Sequence, residues 1–226
     1  MNLPVVALFD IDETLVHTGG AGARSWRYAF DRLYGVQADI GAHTSAGETD
    51  PEVGEKTFRG VLGRDPSKDE MGRVYARYLL HLADDIWTSP GYRVLPGAVE
   101  TLHRLSEAGV VLGIVSGAME GAARTKLAPA NLNRFFVFGG YGSDSRDRGE
   151  LIRGAVRRAS ELRDESLEGK EIVVVGDTPH DVEAAGSAEV GCVAVASGKY
   201  SVEELRGAGA DHVLSSLKEP FPGLDG

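Results

Sequence analysis

Short runs of apolar, often β-branched residues recur along the chain, and longer stretches of helical periodicity separate them. Most of these runs are apolar at every position, which is typical of strands buried on both faces of a parallel sheet. The helical stretches supply the crossover connections that parallel strands require. The predicted strands are Val5–Phe9, Val110–Val115, Phe135–Phe138, Ile172–Val175, Val190–Val195 and His212–Leu214. The predicted helices among the later strands are Ala98–Ala108, Met119–Leu127, Glu150–Leu162, Pro179–Ala185 and Val202–Arg206.

The segment that follows the first strand, residues 16–90, departs from this alternation because it contains no convincing strand. Its pattern predicts three helices, Ala21–Tyr34, Pro51–Leu62 and Lys68–Trp87, the last with an apolar residue at every fourth position. The sequence therefore predicts an α/β fold, a mostly parallel sheet with helices on both faces. Residues 1–15 and 91–226 form this core, and residues 16–90 form a small helical domain inserted after the first strand.

Acidic residues follow two of the predicted strands directly. Asp10 and Asp12 come after the first strand, Asp177 comes after Ile172–Val175, and Asp181 lies in the first turn of the next helix. Taken singly, these could be solvated loop acids or partners of a helix dipole. Carboxylates at the carboxyl ends of neighbouring strands share one crevice, however, and would repel one another without a cation. Ligation by oxygen alone is the pattern that Mg²⁺ prefers, so we expect a magnesium site there.

Two other strand ends carry groups that suit a phosphate. Val110–Val115 runs into Ser116 and Gly117, which offer a hydroxyl and backbone amides at a turn, and Arg148 opens the helix after the third strand. Each feature is weak alone, because serine and arginine are also common at helix ends.

Composition excludes several classes of partner. The 226 residues include 24 Lys and Arg against 34 Asp and Glu, a net charge of −10, which disfavours nucleic acid and anionic membranes. The six histidines show no zinc-binding spacing. Cys192 is the single cysteine and lies in an apolar run, so we expect a buried thiol and a reducing compartment. No signal peptide or membrane-spanning run is evident, so we expect a cytoplasmic protein.

Four segments together resemble the motifs of the haloacid dehalogenase superfamily, in the family's order and one per strand end. They are Asp10-Ile11-Asp12-Glu13-Thr14-Leu15, Ile114-Val115-Ser116-Gly117, Arg148 and Gly176-Asp177-Thr178-Pro179-His180-Asp181. The resemblance extends through most of residues 4–215, and the insert resembles the helical cap of the phosphoglycolate-phosphatase-like branch. It implies a Rossmann-like core and a phosphatase that acts on a small phosphorylated metabolite.

The resemblance also implies roles for the catalytic aspartates and for the metal. Asp10 is expected to attack phosphorus and form an aspartyl-phosphate, and Asp12 to act as general acid and then base. Mg²⁺ is expected on the Asp10 carboxylate, the Asp12 backbone carbonyl and Asp177. Because dehalogenases lack an aspartate at the position of Asp12, its presence favours phosphate esters as substrates.

The remaining site residues follow from the same resemblance. Ser116, the Gly117 amide and Arg148 are expected to hold the phosphoryl oxygens. Thr14 is expected to orient the first loop, and Asp181 to be an outer metal ligand or a hydrogen-bond acceptor behind the ligands. In the cap, Glu48 and Thr49 are expected to face the substrate.

Three positions depart from the family's pattern. Glu13 stands where glycine is usual, which bears on the geometry of the turn; Arg148 replaces the commoner lysine; and Glu48 replaces a basic residue of related caps, which bears on the substrate. A phosphomutase and a catalytically silent phosphometabolite-binding protein remain alternatives. A response-regulator receiver fits less well because such a domain does not need the insert at residues 16–90. A nucleotide-binding module fits less well because its glycine motifs are incomplete in this sequence. The chain is expected to be a monomer or a homodimer.

Overall fold

A six-stranded parallel sheet forms the centre of the molecule in the computed structural model, which describes residues 2–45, 47–167 and 169–224. The strand order in this sheet is β5-β4-β1-β6-β7-β8. A second, two-stranded sheet pairs β2 with β3 antiparallel. In chain order the strands are β1 (Val6–Phe9), β2 (Val16–His17), β3 (Arg93–Val94), β4 (Val111–Ser116), β5 (Phe138–Tyr141), β6 (Ile172–Gly176), β7 (Gly191–Val195) and β8 (His212–Leu214).

Eight α-helices accompany the strands in the described part of the chain. They are α1 (Ala21–Tyr34), α2 (Asp50–Leu62), α3 (Lys68–Asp85), α4 (Ala98–Glu107), α5 (Glu120–Leu127), α6 (Arg148–Arg163), α7 (Pro179–Ser187) and α8 (Val202–Gly207). Short 3₁₀ turns occupy Ile40–Ala42, Ile86–Thr88, Leu132–Phe135 and Gly169–Glu171.

Both faces of the large sheet are buried, which explains why its strands are apolar at every position. In β1, Ala7 and Phe9 pack into one apolar cluster, and Val6 and Leu8 pack into a second one. The strands β6 and β7 alternate between the same two clusters, and Cys192 is buried in the second. Since successive side chains of a strand point to opposite faces, helices cover the sheet on both sides. The predicted α/β fold is confirmed.

The helices α1–α3 lie between β2 and β3 and pack through aromatic side chains. Trp26 of α1 stacks on Tyr78 of α3 with ring centroids 4.3 Å apart. Capping boxes fix the starts of α2 and α3, at Thr49 and Ser67 respectively. The short β2–β3 ladder brings the two ends of this segment together. The predicted domain limits, between residues 15 and 16 and between 90 and 91, stay a prediction, and residues 1, 46, 168, 225 and 226 of the predicted ranges lie outside the described residues.

Some predicted elements are displaced in the structure. The third strand of the core spans Phe138–Tyr141 instead of Phe135–Phe138, because the preceding apolar residues form a 3₁₀ turn. Because two of its four residues are glycines, the sequence pattern did not indicate this strand. Glycine is required at position 140, since a Cβ there would lie 2.0 Å from the Leu151 carbonyl oxygen. The third helix of the insert ends at Asp85, and a strand occurs in the segment predicted to have none. In the described part of the chain, no helix is both long enough and apolar enough to span a bilayer.

Candidate active site

The register of the central strands brings the predicted site residues to one edge of the sheet. Phe9 pairs with Ile114 on one side and with Val175 on the other. Asp10, Ser116 and Asp177 therefore leave the sheet side by side, at the crevice where the strand order reverses. A cavity of about 230 Å³ opens there, between these strand ends and the start of α2.

Three buried aspartates form the floor of this cavity. Asp10, Asp177 and Asp181 each offer a carboxylate oxygen, and these oxygens all lie within 4.8 Å of one another. Burial raises the pKa of Asp177 to about 7, and the charge of Asp181 adds to the effect. Burial also raises the pKa of Asp10 well above its usual range, with Asp181 acting in the same direction and Arg148 opposing both. Crowded, desolvated carboxylates of this kind fit a divalent cation, which would offset both causes.

Arg148 connects two of the aspartates in the floor of the cavity, Asp10 and Asp181. It is the first residue of α6, whose N-cap is Asp147. Its Nη2 donates to Asp181 Oδ1 at 2.6 Å and to Asp10 Oδ1 at 3.2 Å, and its Nη1 donates to the carbonyl oxygen of Gly47 at 3.1 Å. Burial acts to lower the pKa of this guanidinium, but Asp181 and Asp10 outweigh it and raise the value. The cation is therefore fixed beside Asp10.

Asp181 is held by the start of α7 as well as by Arg148. Its Oδ2 accepts from the Thr178 amide at 3.1 Å and from the Thr178 hydroxyl at 2.7 Å, within a capping box. The missing side chain of Gly176 makes this packing possible, because a Cβ there would lie 2.3 Å from Asp181 Cγ. Both oxygens of the Asp181 carboxylate therefore accept hydrogen bonds, and the carboxylate orients Arg148.

The turn after β4 lies directly against the insert. Ser116 is buried, and its Oγ accepts from the Ala118 amide at 3.3 Å. The Gly117 carbonyl oxygen accepts from the Asp50 amide at 2.8 Å. A Cβ at Gly117 would lie 2.8 Å from the Glu48 carbonyl oxygen. Glycine is thus needed where the two parts of the chain meet at the cavity wall.

Two residues at the site, Lys126 and Asp50, were not predicted from the sequence. Lys126 Nζ lies 2.5 Å from Asp12 Oδ2, and the lysine is 8% exposed. Asp50 is also buried and accepts from the Met119 amide at 2.8 Å. Burial raises the pKa of Asp50 to about 6, although Lys126 and the Met119 hydrogen bond oppose it. A signal for the lysine exists in the sequence, because it falls on the buried face of α5 with Ala122 and Ala123.

The amino-acid sequence matches a known family along most of its length. A family model described as haloacid dehalogenase-like hydrolase matches residues 5–189. The chain belongs to this family of hydrolases. It is 30% identical to a phosphoglycolate phosphatase of Rhodospirillum rubrum, over 99% of this chain and 95% of the relative. It is 29% identical to validoxylamine A 7'-phosphate phosphatase of Streptomyces hygroscopicus subsp. limoneus, over 95% and 94% of the two chains.

A solved structure shows the same fold. The crystal structure of a predicted phosphoglycolate phosphatase from Haemophilus somnus matches with a TM-score of 0.73 at 19% identity, over 96% of each chain. The resemblance to the phosphoglycolate-phosphatase-like branch is confirmed, and the protein is a phosphoric monoester hydrolase of the haloacid dehalogenase type. The receiver and nucleotide-binding alternatives are thereby excluded.

The two residues of the insert that were predicted to face the substrate, Glu48 and Thr49, lie in different surroundings. Glu48 lines the cavity, while its carboxylate accepts from the Ser45 amide at 3.0 Å and lies 3.1 Å from Lys56 Nζ. Thr49 is buried at the start of α2, where its hydroxyl donates to Glu52 Oε2 at 3.0 Å. The structure therefore brings Glu48 to the cavity wall and directs the Thr49 hydroxyl to the helix cap.

The first loop of the hydrolase contains an unusual backbone conformation. Glu13 has φ of +57°, in the left-handed region that favours glycine. Its amide donates to the Val16 carbonyl oxygen at 2.9 Å, and its carboxylate pairs with His17. The turn geometry expected with glycine is thus retained with glutamate. The neighbouring Thr14 is fully buried, and its hydroxyl has no hydrogen-bond partner among the described residues.

Proposed function

We propose that this hydrolase is a Mg²⁺-dependent phosphatase that cleaves a small phosphate monoester through an aspartyl-phosphate on Asp10. The observation that carries the proposal is the position of the Asp10 carboxylate. It lies at the floor of a cavity, beside a fixed cation, Arg148, and within a cluster of carboxylates that suits a divalent metal. A carboxylate in this setting can approach the phosphorus atom of an anionic ester without prohibitive repulsion.

The phosphoryl group is held opposite Asp10 by three groups of the chain. The Arg148 guanidinium is buried, lines the cavity and is oriented by Asp181, so it is already fixed beside Asp10 before a substrate binds. Ser116 and Gly117 line the cavity at the turn after β4 and offer a hydroxyl and a backbone amide. Preorganised donors that stabilise charge as it develops on the phosphoryl oxygens are the main source of rate in such transfers.

The metal would be held by the carboxylates of Asp10 and Asp177 and by the backbone carbonyl of Asp12. Asp181 supports Arg148 and is assigned as a hydrogen-bond acceptor behind these ligands, because Thr178 and Arg148 already occupy its oxygens. A bound Mg²⁺ neutralises charge on the nucleophile and on the phosphoryl oxygens. The donor set of oxygens alone fits this ion.

Asp12 is the proton donor and acceptor of the proposed reaction. Its side chain is 43% exposed, lines the cavity and pairs with Lys126. In the proposed reaction the leaving-group oxygen lies beside Asp12, opposite the face of the phosphoryl group that Asp10 attacks. Asp12 gives its proton to this oxygen and then accepts one from the water that cleaves the aspartyl-phosphate.

The substrate class follows from the wall that faces the leaving group. Glu48 and Asp50 line the small cavity there, where Lys56 pairs with the Glu48 carboxylate and Lys126 with Asp12. Because carboxylates of the described residues already engage both lysines, an anionic leaving group gains no free cation at this wall, and we assign phosphate esters of neutral, hydroxyl-rich alcohols as the preferred substrates. The relative named validoxylamine A 7'-phosphate phosphatase supports this class, whereas the relatives named phosphoglycolate phosphatase act on an ester with an anionic leaving group. A cytoplasmic location, and a monomeric or homodimeric state, remain predictions.

The test is a screen of phosphorylated metabolites with an aryl phosphate as reference, with Mg²⁺ and with chelator. We expect release of inorganic phosphate that depends on Mg²⁺ and is lost in Asp10→Asn. Release that persists after exhaustive chelation would contradict the metal assignment. Formation of an isomeric phosphate ester, without net release of phosphate, would favour the phosphomutase alternative.

A further inference from the structure

Among the described residues that line the active-site cavity, two carry a full positive charge, and each contacts a different catalytic aspartate. Arg148 contacts Asp10, and Lys126 contacts Asp12. The guanidinium of Arg148 is already shared among Asp10, Asp181 and the Gly47 carbonyl. Asp12 therefore has Lys126, and not Arg148, as its cationic neighbour in the cavity.

The position of Lys126 is unusual for a lysine in the last turn of a helix. Its side chain is 10% exposed, and it lies on the face of α5 that is otherwise formed by buried alanine and leucine. The Tyr92 hydroxyl donates to the Lys126 carbonyl oxygen at 2.9 Å and fixes the backbone at this point. Burial of an ammonium is unfavourable, and the nearby carboxylates of Asp12 and Asp50 offset that cost. The lysine is therefore held at one place beside Asp12.

The second carboxylate near Lys126 comes from the insert. Asp50 is the first residue of α2, its amide donates to the Gly117 carbonyl oxygen, and its side chain accepts from the Met119 amide just before α5. Asp50 thus ties α2 both to the phosphate-binding turn and to the helix that carries Lys126. The ion cluster of Asp12, Lys126 and Asp50 is complete only when the insert lies against the core as it does here.

We propose that Lys126 is a positioning residue for Asp12, holding its carboxyl group toward the leaving-group oxygen when the insert is docked through Asp50. The inference rests on the proposed function, in which Asp12 exchanges a proton with the leaving group. A side chain that is 43% exposed has several accessible rotamers, and a charge-assisted hydrogen bond to a fixed ammonium selects one of them. In this proposal Lys126 acts through Asp12 and not on the phosphoryl group.

The decisive readout is the dependence of rate on the leaving group. An alkyl phosphate needs protonation of its leaving oxygen, whereas p-nitrophenolate leaves without it. In Lys126→Met we expect kcat/KM for an alkyl phosphate to fall roughly 100-fold and that for p-nitrophenyl phosphate to fall less than roughly fivefold. Arg124→Met, which removes a cation from the same helix outside the cavity, should leave the ratio of the two rates unchanged. Equal losses of Lys126→Met on both esters would show a merely structural ion pair and overturn the proposal.

A double-mutant cycle tests whether Lys126 acts through Asp12. Asp12→Asn should show the same preference for the aryl ester, and Asp12→Asn with Lys126→Met should be no slower on the alkyl ester than Asp12→Asn alone. Losses that multiply would contradict the inference. If Lys126→Met fails to fold in a thermal unfolding assay, Lys126→Gln decides by the same ratio of rates, with an intermediate value expected and an unchanged value contradicting. Wild-type protein inactive on both esters would instead overturn the proposed function itself.

Discussion

Glu13 shows how a single backbone angle links the active-site turn to stability. A non-glycine residue with φ of +57° costs on the order of 1 kcal/mol, and the partly exposed pair with His17 returns little of it. Such strain is retained in many proteins next to functional groups. Here the Glu13 carbonyl oxygen accepts from the Ser197 hydroxyl at 2.5 Å, which ties the turn after β1 to the loop after β7.

Glu13→Gly should therefore stabilise the folded protein. We expect the free energy of unfolding to rise by roughly 0.5–1 kcal/mol, or about 2–3 °C in Tm, because glycine adopts this angle without strain. The matched control is Glu189→Gly, where φ is +58° at a turn that lies outside the active-site cavity. Thermal unfolding should show similar gains for both variants. A loss of stability in Glu13→Gly alone would mean that the His17 pair outweighs the strain.

Residues directly after strands could be predicted from the sequence, and so could Arg148 and Asp181 at the helix starts, whereas Lys126 and Asp50 could not. Asp10 and Asp177 follow buried apolar runs, so the rule that parallel strands end at one edge was sufficient to bring them together. Lys126 and Asp50 sit at a helix end and a helix start, where a cation and an anion are ordinary partners of the helix dipole. Only a tertiary contact, the hydrogen bond from the Met119 amide just before α5 to Asp50, brings these two residues to one cavity.

At the scale of elements, the start of α2 forms part of the cavity wall, which the proposed reaction places beside the leaving group. Its capping box fixes the turn at residues 47–50, and the Glu48 backbone carbonyl lies close to Gly117. The Glu48 carboxylate is partly neutralised by Lys56, whose own side chain is 44% exposed. The electrostatic effect of Glu48 on a substrate is therefore smaller than that of an isolated charge.

Glu48→Arg should shift selectivity toward anionic leaving groups. We expect kcat/KM for phosphoglycolate, relative to that for a sugar phosphate, to rise roughly tenfold, equivalent to about 1.4 kcal/mol. The control is Glu107→Arg, an exposed residue at the end of α4 that does not line the cavity. Steady-state kinetics on both substrates gives the ratio. An unchanged ratio in Glu48→Arg would remove this residue from the specificity wall.

Glycine content explains why one element was misplaced in the sequence interpretation. The segment Phe138-Gly139-Gly140-Tyr141 has too few β-formers to indicate a strand, whereas Phe135 and Phe136 indicate one strongly. Gly140 is present because α6 packs closely on β5, and Gly139 because the Tyr141 side chain and the Ile114 carbonyl oxygen lie close to it; no local pattern reveals the contact with α6. The other five strands of the sheet were predicted to within one residue at either end, because burial on both faces leaves a continuous apolar run.

For the whole molecule, the aspartate cluster predicts a stability that depends on pH and on bound metal. The pKa of Asp177 is raised from 3.8 to about 7 in the folded protein, and the pKa of Asp10 is raised as well. A group with a raised folded pKa favours the folded state below its unfolded pKa and loses that contribution as the pH rises through the folded value. The metal-free protein should thus become less stable between about pH 4 and pH 8.

Thermal unfolding in chelator at pH 5 and pH 8 measures this effect. We expect a loss on the order of 2 kcal/mol on going to pH 8, or roughly 4–8 °C in Tm, and its recovery on addition of Mg²⁺. Asp177→Asn should be less sensitive to both pH and Mg²⁺, since it removes one of the buried carboxylates. A wild-type Tm that rises with pH in chelator would contradict the electrostatic account of the cluster.

The central claim is that the phosphoryl group passes to Asp10 before it reaches water, and the stereochemical course at phosphorus tests it most directly. The substrate is a phosphorothioate ester made chiral by one heavy oxygen isotope and hydrolysed in water that carries another. Each in-line displacement inverts the configuration, so two successive displacements, onto Asp10 and then onto water, give net retention. We expect retention in the thiophosphate product. Inversion would show a single displacement by water and would contradict the aspartyl-phosphate mechanism.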